Sequence, residues 1–254
     1  MLAGWTCPLC RIRHNGHVEL DADSFYARFA DGASPQVSTA APSPGQFVDA
    51  YRALADRGAT EILSIHVGAD LSGTLNAARL AADLAPVPVR LVDTGSASFV
   101  VGAATWAAAD AACRGATLDD AARTAERVAR TAGNIFVVGA LDLARAGGRL
   151  AADAPTVEAI PILALADGKL TVLGEPRTVD EAADVMASAV LAGGRPVRVG
   201  VGTSDPSSQP VAGALTERLA SSPAVAEIVQ YRVGPSVGAH TGPGTAGAVF
   251  FSAP

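Results

Sequence analysis

Basic charge, cysteine and aromatic rings are all scarce in this chain of 254 residues, and no long apolar run occurs in it. The 19 Lys and Arg are outnumbered by 25 Asp and Glu, giving a net charge of −6. Nucleic-acid binders carry a basic patch or stripe, so that class is set aside. Three cysteines cannot all pair within one chain, which excludes a disulfide framework and points to a reducing cytoplasm. No uninterrupted apolar run reaches the length of a membrane span, so no stable membrane insertion is expected. The opening residues lack the basic-then-apolar pattern of a secretory leader. A G-x-x-x-x-G-K loop is also missing, so the chain is not expected to use ATP by itself. What remains is 49% hydrophobic, 17% charged and 5% aromatic. That is an alanine-rich globular composition, too apolar for disorder, and long enough for one large or two modest domains.

The most informative stretch runs from Glu61 to Thr74. Ile62 to Val67 is a short apolar run with β-branched residues and predicts a buried strand. Gly68, Ser72, Gly73 and Thr74 follow, and then a helical pattern with Leu75, Ala78 and Ala82 on one stripe. A strand, a loop bearing glycine and hydroxyls, and a helix start together make an anion site, because free amides and the positive helix end face whatever lies above the strand. The alternative is that Ser72 or Thr74 only caps the helix.

Helix starts recur along the chain. Ser43-Pro44-Gly45-Gln46 combines an N-cap serine, proline at the first helical position and glutamine at the third. Thr117 with Asp120, and Thr178 with Glu181, repeat the signal before alanine-rich helices. Short apolar runs at 89–92, 135–138, 197–201 and 248–251 lie between helical segments. The first half therefore alternates strand and helix, as a parallel sheet covered by helices would. In the second half, 160–166 and 169–173 are separated by Asp167-Gly168, a two-residue hairpin signal that requires antiparallel pairing. The fold class expected is α/β in two lobes, residues 1–145 with a mainly parallel sheet and 146–254 with a mixed or antiparallel one. Clefts between lobes are common ligand sites.

Four segments combine with these elements: Pro35 to Pro44 ahead of the first capped helix, Leu71-Ser72-Gly73-Thr74, Ala146-Gly147-Gly148-Arg149, and His240-Thr241-Gly242-Pro243-Gly244. In this order and spacing, from about Pro8 to the C-terminus, the chain resembles the DegV family of bacterial fatty-acid-binding proteins, which have the EDD fold. Asp93-Thr94-Gly95-Ser96-Ala97-Ser98 looks like that family's Asp-Ser-x-Ala-Ser turn. The resemblance implies a long-chain fatty acid held between the two lobes and presented to a separate fatty-acid kinase, which makes an acyl phosphate. It implies a lipid-binding carrier subunit rather than an enzyme, with no cofactor and no metal. It also places the carboxylate on Thr39, Ser72, Gly73 and Thr74, with Arg149 and His240 supporting the head group or the partner's reaction.

Two departures stand out. Members open with a strand ending in Thr-Asp-Ser, whereas here Met1 to Cys7 precede Pro8 to Ile12, which match the family's second strand. The first lobe is expected to lack that opening strand, through a start assigned too far downstream or through truncation. Ala40-Ala41 stand where members often carry serine and glutamine, removing polar groups beside Thr39. Two further readings belong to other classes. Cys7, Cys10, His14 and His17 have the residue types of a zinc site, but the three-residue gap between the pairs falls far short of a finger's usual dozen or so. Ser72, His240 and Asp93 have the residue types of a hydrolase triad, although Ser72 lies in Leu-Ser-Gly-Thr and not in a G-x-S-x-G elbow.

Overall fold

In the computed structural model, residues 11–14, 17–18, 21–33, 35–139, 160–166 and 169–253 are described. From the N-terminal side, β1 (Arg11–His14) pairs antiparallel with β2 (His17–Val18) and with β3 (Ser38–Ala40). Between β2 and β3 lie α1 (Ala22–Tyr26) and a 3-10 segment (Ala27–Gly32). Next come α2 (Pro44–Asp56), β4 (Ile62–His66), α3 (Thr74–Ala82) and β5 (Val89–Asp93). β4 and β5 pair in parallel, from Ile62 against Val89 to His66 against Asp93. Two helices follow, α4 (Phe99–Cys113) and α5 (Leu118–Thr131).

The larger sheet contains β6 (Gly133–Val137), β7 (Ile162–Ala166), β8 (Lys169–Gly174), β9 (Val197–Thr203), β10 (Val225–Arg232) and β11 (Ala246–Ser252), in the order β10-β9-β11-β6-β7-β8. β9 and β10 pair in parallel, and the other described pairs in it are antiparallel. Its helices are α6 (Val179–Leu191), α7 (Gln209–Ala220) and α8 (Pro235–Thr241).

The capping residues act as their chemistry requires. Ser43 accepts from the Gln46 amide while the Gln46 side chain accepts from the Ser43 amide, a reciprocal box that opens α2. The hydroxyls of Thr117 and Thr178 accept from the amides of Asp120 and Glu181. β7 and β8 pair antiparallel up to Ala166 against Lys169, as a two-residue connection dictates.

One strand reading is corrected. The 135–138 run was expected to continue the alternating strands of the first half, but β6 joins the large sheet, antiparallel to both β11 and β7. Nothing local distinguishes a parallel from an antiparallel partner for such a run; tertiary pairing decides. The division expected at residue 145 lies outside the described residues.

Burial divides the molecule into layers. α2 and α3 cover one face of the β4–β5 pair through Phe47, Val48, Tyr51, Ala77, Ala78 and Ala81. The other face, with Leu63, Ile65 and Val92, packs on α4 and α5, which in turn meet Val249 and Phe251 of β11. The opposite face of the large sheet packs on α6 and α7. The stack is therefore α/β/α/β/α with α4–α5 in the middle. Apart from it, α1 lies on α8, with Phe25, Tyr26 and Ala239 forming a small core.

That last contact is close. A Cβ on Gly238 would collide with the Tyr26 hydroxyl and sit 2.8 Å from Phe25 Cε1. Tyr26 cannot swing aside freely, because its hydroxyl donates to Val233 O at 3.0 Å. Gly238→Ala should therefore lower stability by about 1–3 kcal/mol in urea titration, the usual cost of overpacking. Gly213→Ala in α7, where a Cβ meets nothing within 4 Å, should raise stability by about 0.5–1 kcal/mol.

Candidate functional site

Helix α3 begins just beyond the C-terminal end of β4. Gly73 is its N-cap and offers no side-chain bond, so the hydroxyls beside it do that work. Ser72 Oγ accepts from the Thr74 amide at 3.3 Å and shares a 2.7 Å hydrogen bond with Thr74 Oγ1. Ser72 thus serves the helix start, and its half-buried hydroxyl stands beside a second hydroxyl. The first amides of a helix have no partner within it and carry the positive end of its dipole. An anion above this loop would meet two hydroxyls and those amides.

Thr39 arrives from a different layer. It lies on β3, and its Oγ1 is 3.3 Å from Nε2 of His240, in the last turn of α8. The two residues stand 201 positions apart in the chain. Two residues beyond Thr39, Ala41 lies close to the α3 cap, its Cβ 3.9 Å from where a Cβ on Gly73 would stand. Three of the four sequence segments thus converge, and α2 also starts here, from Ser43. The fourth, Ala146-Gly147-Gly148-Arg149, lies outside the described residues, and Arg149 with it.

The loop after His240 is held by Asp205. One carboxylate oxygen accepts from Gly244 N at 2.6 Å and Ser204 Oγ at 2.7 Å; the other accepts from Ser207 N at 3.3 Å and Ser207 Oγ at 2.8 Å. Burial pushes this carboxyl up, but the bonds from Gly244, Ser204 and Ser207 outweigh it and hold the group below the usual aspartate value. Gly242 and Gly244 adopt φ of 75° and 77°, which glycine alone takes without strain. Pro243 O then lies where any side chain on Gly139 would have to go.

His66 is a residue that sequence reasoning missed. It ends β4, is 6% exposed, and takes part in a buried polar chain: its Nε2 is 2.8 Å from Ser64 Oγ, which is 3.0 Å from the Tyr51 hydroxyl. The Phe47 ring, in the first turn of α2, meets the imidazole edge-on at 5.4 Å. The available signal was period two: Ser64 and His66 fall on one face of an otherwise apolar strand, where a buried polar pair must satisfy itself.

The other candidates are placed as follows. Asp93 accepts from the amides of Ala69 and Gly95, while Ser72 bonds Thr74 and His240 bonds Thr39. A triad needs bonds from base to nucleophile and from base to acid; those described run elsewhere. The serine with an elbow-like backbone is Ser98, at φ 60° and ψ −139° between β5 and α4, and its hydroxyl donates to the Tyr231 phenol at 3.5 Å, not to an imidazole. Cys7 and Cys10 lie outside the described residues. His14 and His17 are register partners of β1 and β2, and among the described residues no group of three His, Cys, Asp or Glu is arranged to hold a metal. No described helix is long and apolar enough to cross a membrane. A cavity of about 330 Å³ on the flank of α3 is lined by Leu75, Arg79, Val89, Arg90, Leu91 and Asp93. It includes none of Thr39, Ser72, Thr74 or His240.

Fold and geometry together define a layered α/β protein in which Thr39, His240 and the Ser72–Thr74 helix start come together. The sequence profile described as "Uncharacterised protein, DegV family" matches residues 12–253, and the chain belongs to the DegV family. A DegV domain-containing protein of Streptomyces coelicolor is 40% identical over 223 residues, covering 85% of this chain and 79% of the relative. A solved DegV family protein from Thermus thermophilus, described as binding fatty acid, superposes with a TM-score of 0.86 at 28% identity, over 96% of this chain and 91% of that one. The DegV family protein of Corynebacterium glutamicum gives 0.75 at 26% identity, over 87% and 86%.

Burial pushes the His66 imidazole down to about 4, opposed by the charge of Asp93. A histidine held neutral when folded takes up its proton more readily when unfolded. Its contribution is therefore full above about pH 6.5, is lost as pH falls, and levels off below about 4. Between pH 7 and pH 5 the protein should lose about 2 kcal/mol through this residue. Urea midpoints of the parent and of His66→Gln, compared at both pH values, should show the difference; parallel losses in the two proteins would contradict it.

Proposed function

We propose that this protein binds a long-chain fatty acid, with the carboxylate against Thr39, Ser72, Gly73 and Thr74 and the acyl tail running inward between the lobes. The observation that carries this reading is the pairing of Thr39 with His240 beside the Ser72 loop. It brings segments far apart in sequence to one helix start. An ionised carboxylate only accepts hydrogen bonds, and this site offers donors in its hydroxyls and in the first amides of α3. The fatty-acid binding described for the Thermus thermophilus relative supports the choice of ligand.

The energetics assign separate roles to tail and head. About 0.8 kcal/mol per buried methylene gives on the order of 10 kcal/mol for a dozen methylenes, before ordering costs. Each head-group bond contributes about 1.5–3 kcal/mol at most. The tail therefore supplies affinity, and the hydroxyls decide which end stays at the mouth.

The chain acts as a carrier in the cytoplasm and presents the carboxylate to a fatty-acid kinase for acyl-phosphate formation. A carboxylate site without a phosphate-cradling glycine loop of its own suits such a division of labour. Arg149, with its fixed charge, and His240 are the residues assigned to the transfer.

Protein purified from a bacterial host and then denatured should release up to one fatty acid per chain, seen by mass spectrometry. Thr39→Ala and Ser72→Ala should each weaken oleate binding by about 1–2 kcal/mol. The melting temperature of the ligand-free protein should change little in Thr39→Ala and fall in Ser72→Ala, which also loses the acceptor for the Thr74 amide. Unchanged affinity in both variants would reduce these hydroxyls to loop and cap residues.

A further inference from the structure

The loop that carries Ser72 hangs on the loop that follows β5. His66 O accepts from Thr94 N at 3.1 Å and from Thr94 Oγ1 at 2.8 Å. Gly68 N donates to Ser96 O at 2.7 Å, and Gly68 O in turn accepts from Ser72 N at 3.1 Å. Between these contacts, Asp93 Oδ1 accepts from Ala69 N at 3.2 Å and from Gly95 N at 2.9 Å. The approach is so close that a Cβ on Gly68 would lie 2.8 Å from the Gly95 carbonyl carbon. Ser72 is thus four residues from an anchor whose own amide, and whose neighbour's amide, are both held by residues 93–96.

We propose that Asp93 is a positioning residue for the head-group site: it sets the Ser72 loop through the amides of Ala69 and Gly95, as a hydrogen-bond acceptor and not as a charge. Oδ1 reaches both amides, and Oδ2 adds only a longer contact to Ala69 N at 3.4 Å. Asparagine offers the same oxygen and makes the same turn to the amide two residues on. Alanine offers nothing, and leaves two amides unpaired beside a backbone contact that has no room to adjust. The role also separates Asp93 from a triad acid, in which the negative charge is the working part. This inference rests on the fatty-acid reading for its binding readout and on loop order for a second one.

Oleate titrations on the parent, Asp93→Ala and Asp93→Asn test it, together with amide hydrogen exchange on the ligand-free proteins. Asp93→Ala should bind oleate about tenfold more weakly, the loss expected for bonds to main-chain donors. Asp93→Asn should stay within about threefold of the parent. Exchange at Ala69 and Gly95 should accelerate in Asp93→Ala and stay slow in Asp93→Asn. Parental affinity in Asp93→Ala, or an equal loss in both variants, would overturn the proposal. If the parent itself takes up no oleate, the fatty-acid reading fails, and the exchange pattern alone decides whether Asp93 sets the loop: equal exchange in all three proteins overturns that too.

Discussion

Everything in this molecule is arranged around one layer of two helices that must satisfy a sheet on each side. α4 is apolar on nearly every side, Thr105 and Asp110 apart, and its buried positions are Val100, Ala103, Ala104, Ala108 and Ala111. A helix of that kind belongs inside a protein and not on its surface. Small side chains let the β4–β5 pair and the large sheet approach from opposite directions, and the partner helix α5 adds Ala121, Ala122 and Ala125. Larger residues pin the edge: Arg198 of β9 lies over Trp106 at 4.7 Å and bonds Asp110 at 2.7 Å, both on α4. With the sheets fixed about this layer, their loops are fixed as well, and Thr39 can meet His240 although neither belongs to the layer.

The site that results depends on main-chain amides more than on charged side chains. Asp93 and Asp205 play parallel parts, each ending or following a strand and each accepting amides from the neighbouring loop. Their carboxylates brace loops, leaving hydroxyls and helix amides for the proposed carboxylate. Donors fixed in this way lose little freedom when a carboxylate arrives, which is how preorganisation raises affinity. The buried chain of Tyr51, Ser64 and His66 extends the same logic beneath the site: polar groups satisfied by one another hold β4 against the first turn of α2.

How much of this was legible in the sequence follows the range of the interactions. Caps are set by residues three positions apart, so Ser43 with Gln46, Thr117 with Asp120 and Thr178 with Glu181 could be read directly and stand as helix starts. The apolar runs became strands for the same local reason. The partner of β6 could not be read, because its apolar run suits either sheet and only the packing of β11 selects one. The meeting of Thr39 and His240 lay beyond spacing or periodicity; the order of four segments, matched to a family, suggested a shared site. Asp93 was noticed for its acidity, whereas its geometry makes it an acceptor for amides. His66 was absorbed into an apolar run, though its place on the same strand face as Ser64 was visible. The hydroxyls of Ser72 and Thr74 were read as either a cap or an anion site, and their mutual bond makes them part of the helix start.

A crystal structure of the protein with oleate tests the central claim most directly. The account predicts the carboxylate within hydrogen-bond distance of the Thr39 and Ser72 hydroxyls, beside the first amides of α3, with the tail directed inward between the lobes. A carboxylate pointing away from these groups, or oleate seated instead in the cavity between α3 and β5, would contradict it.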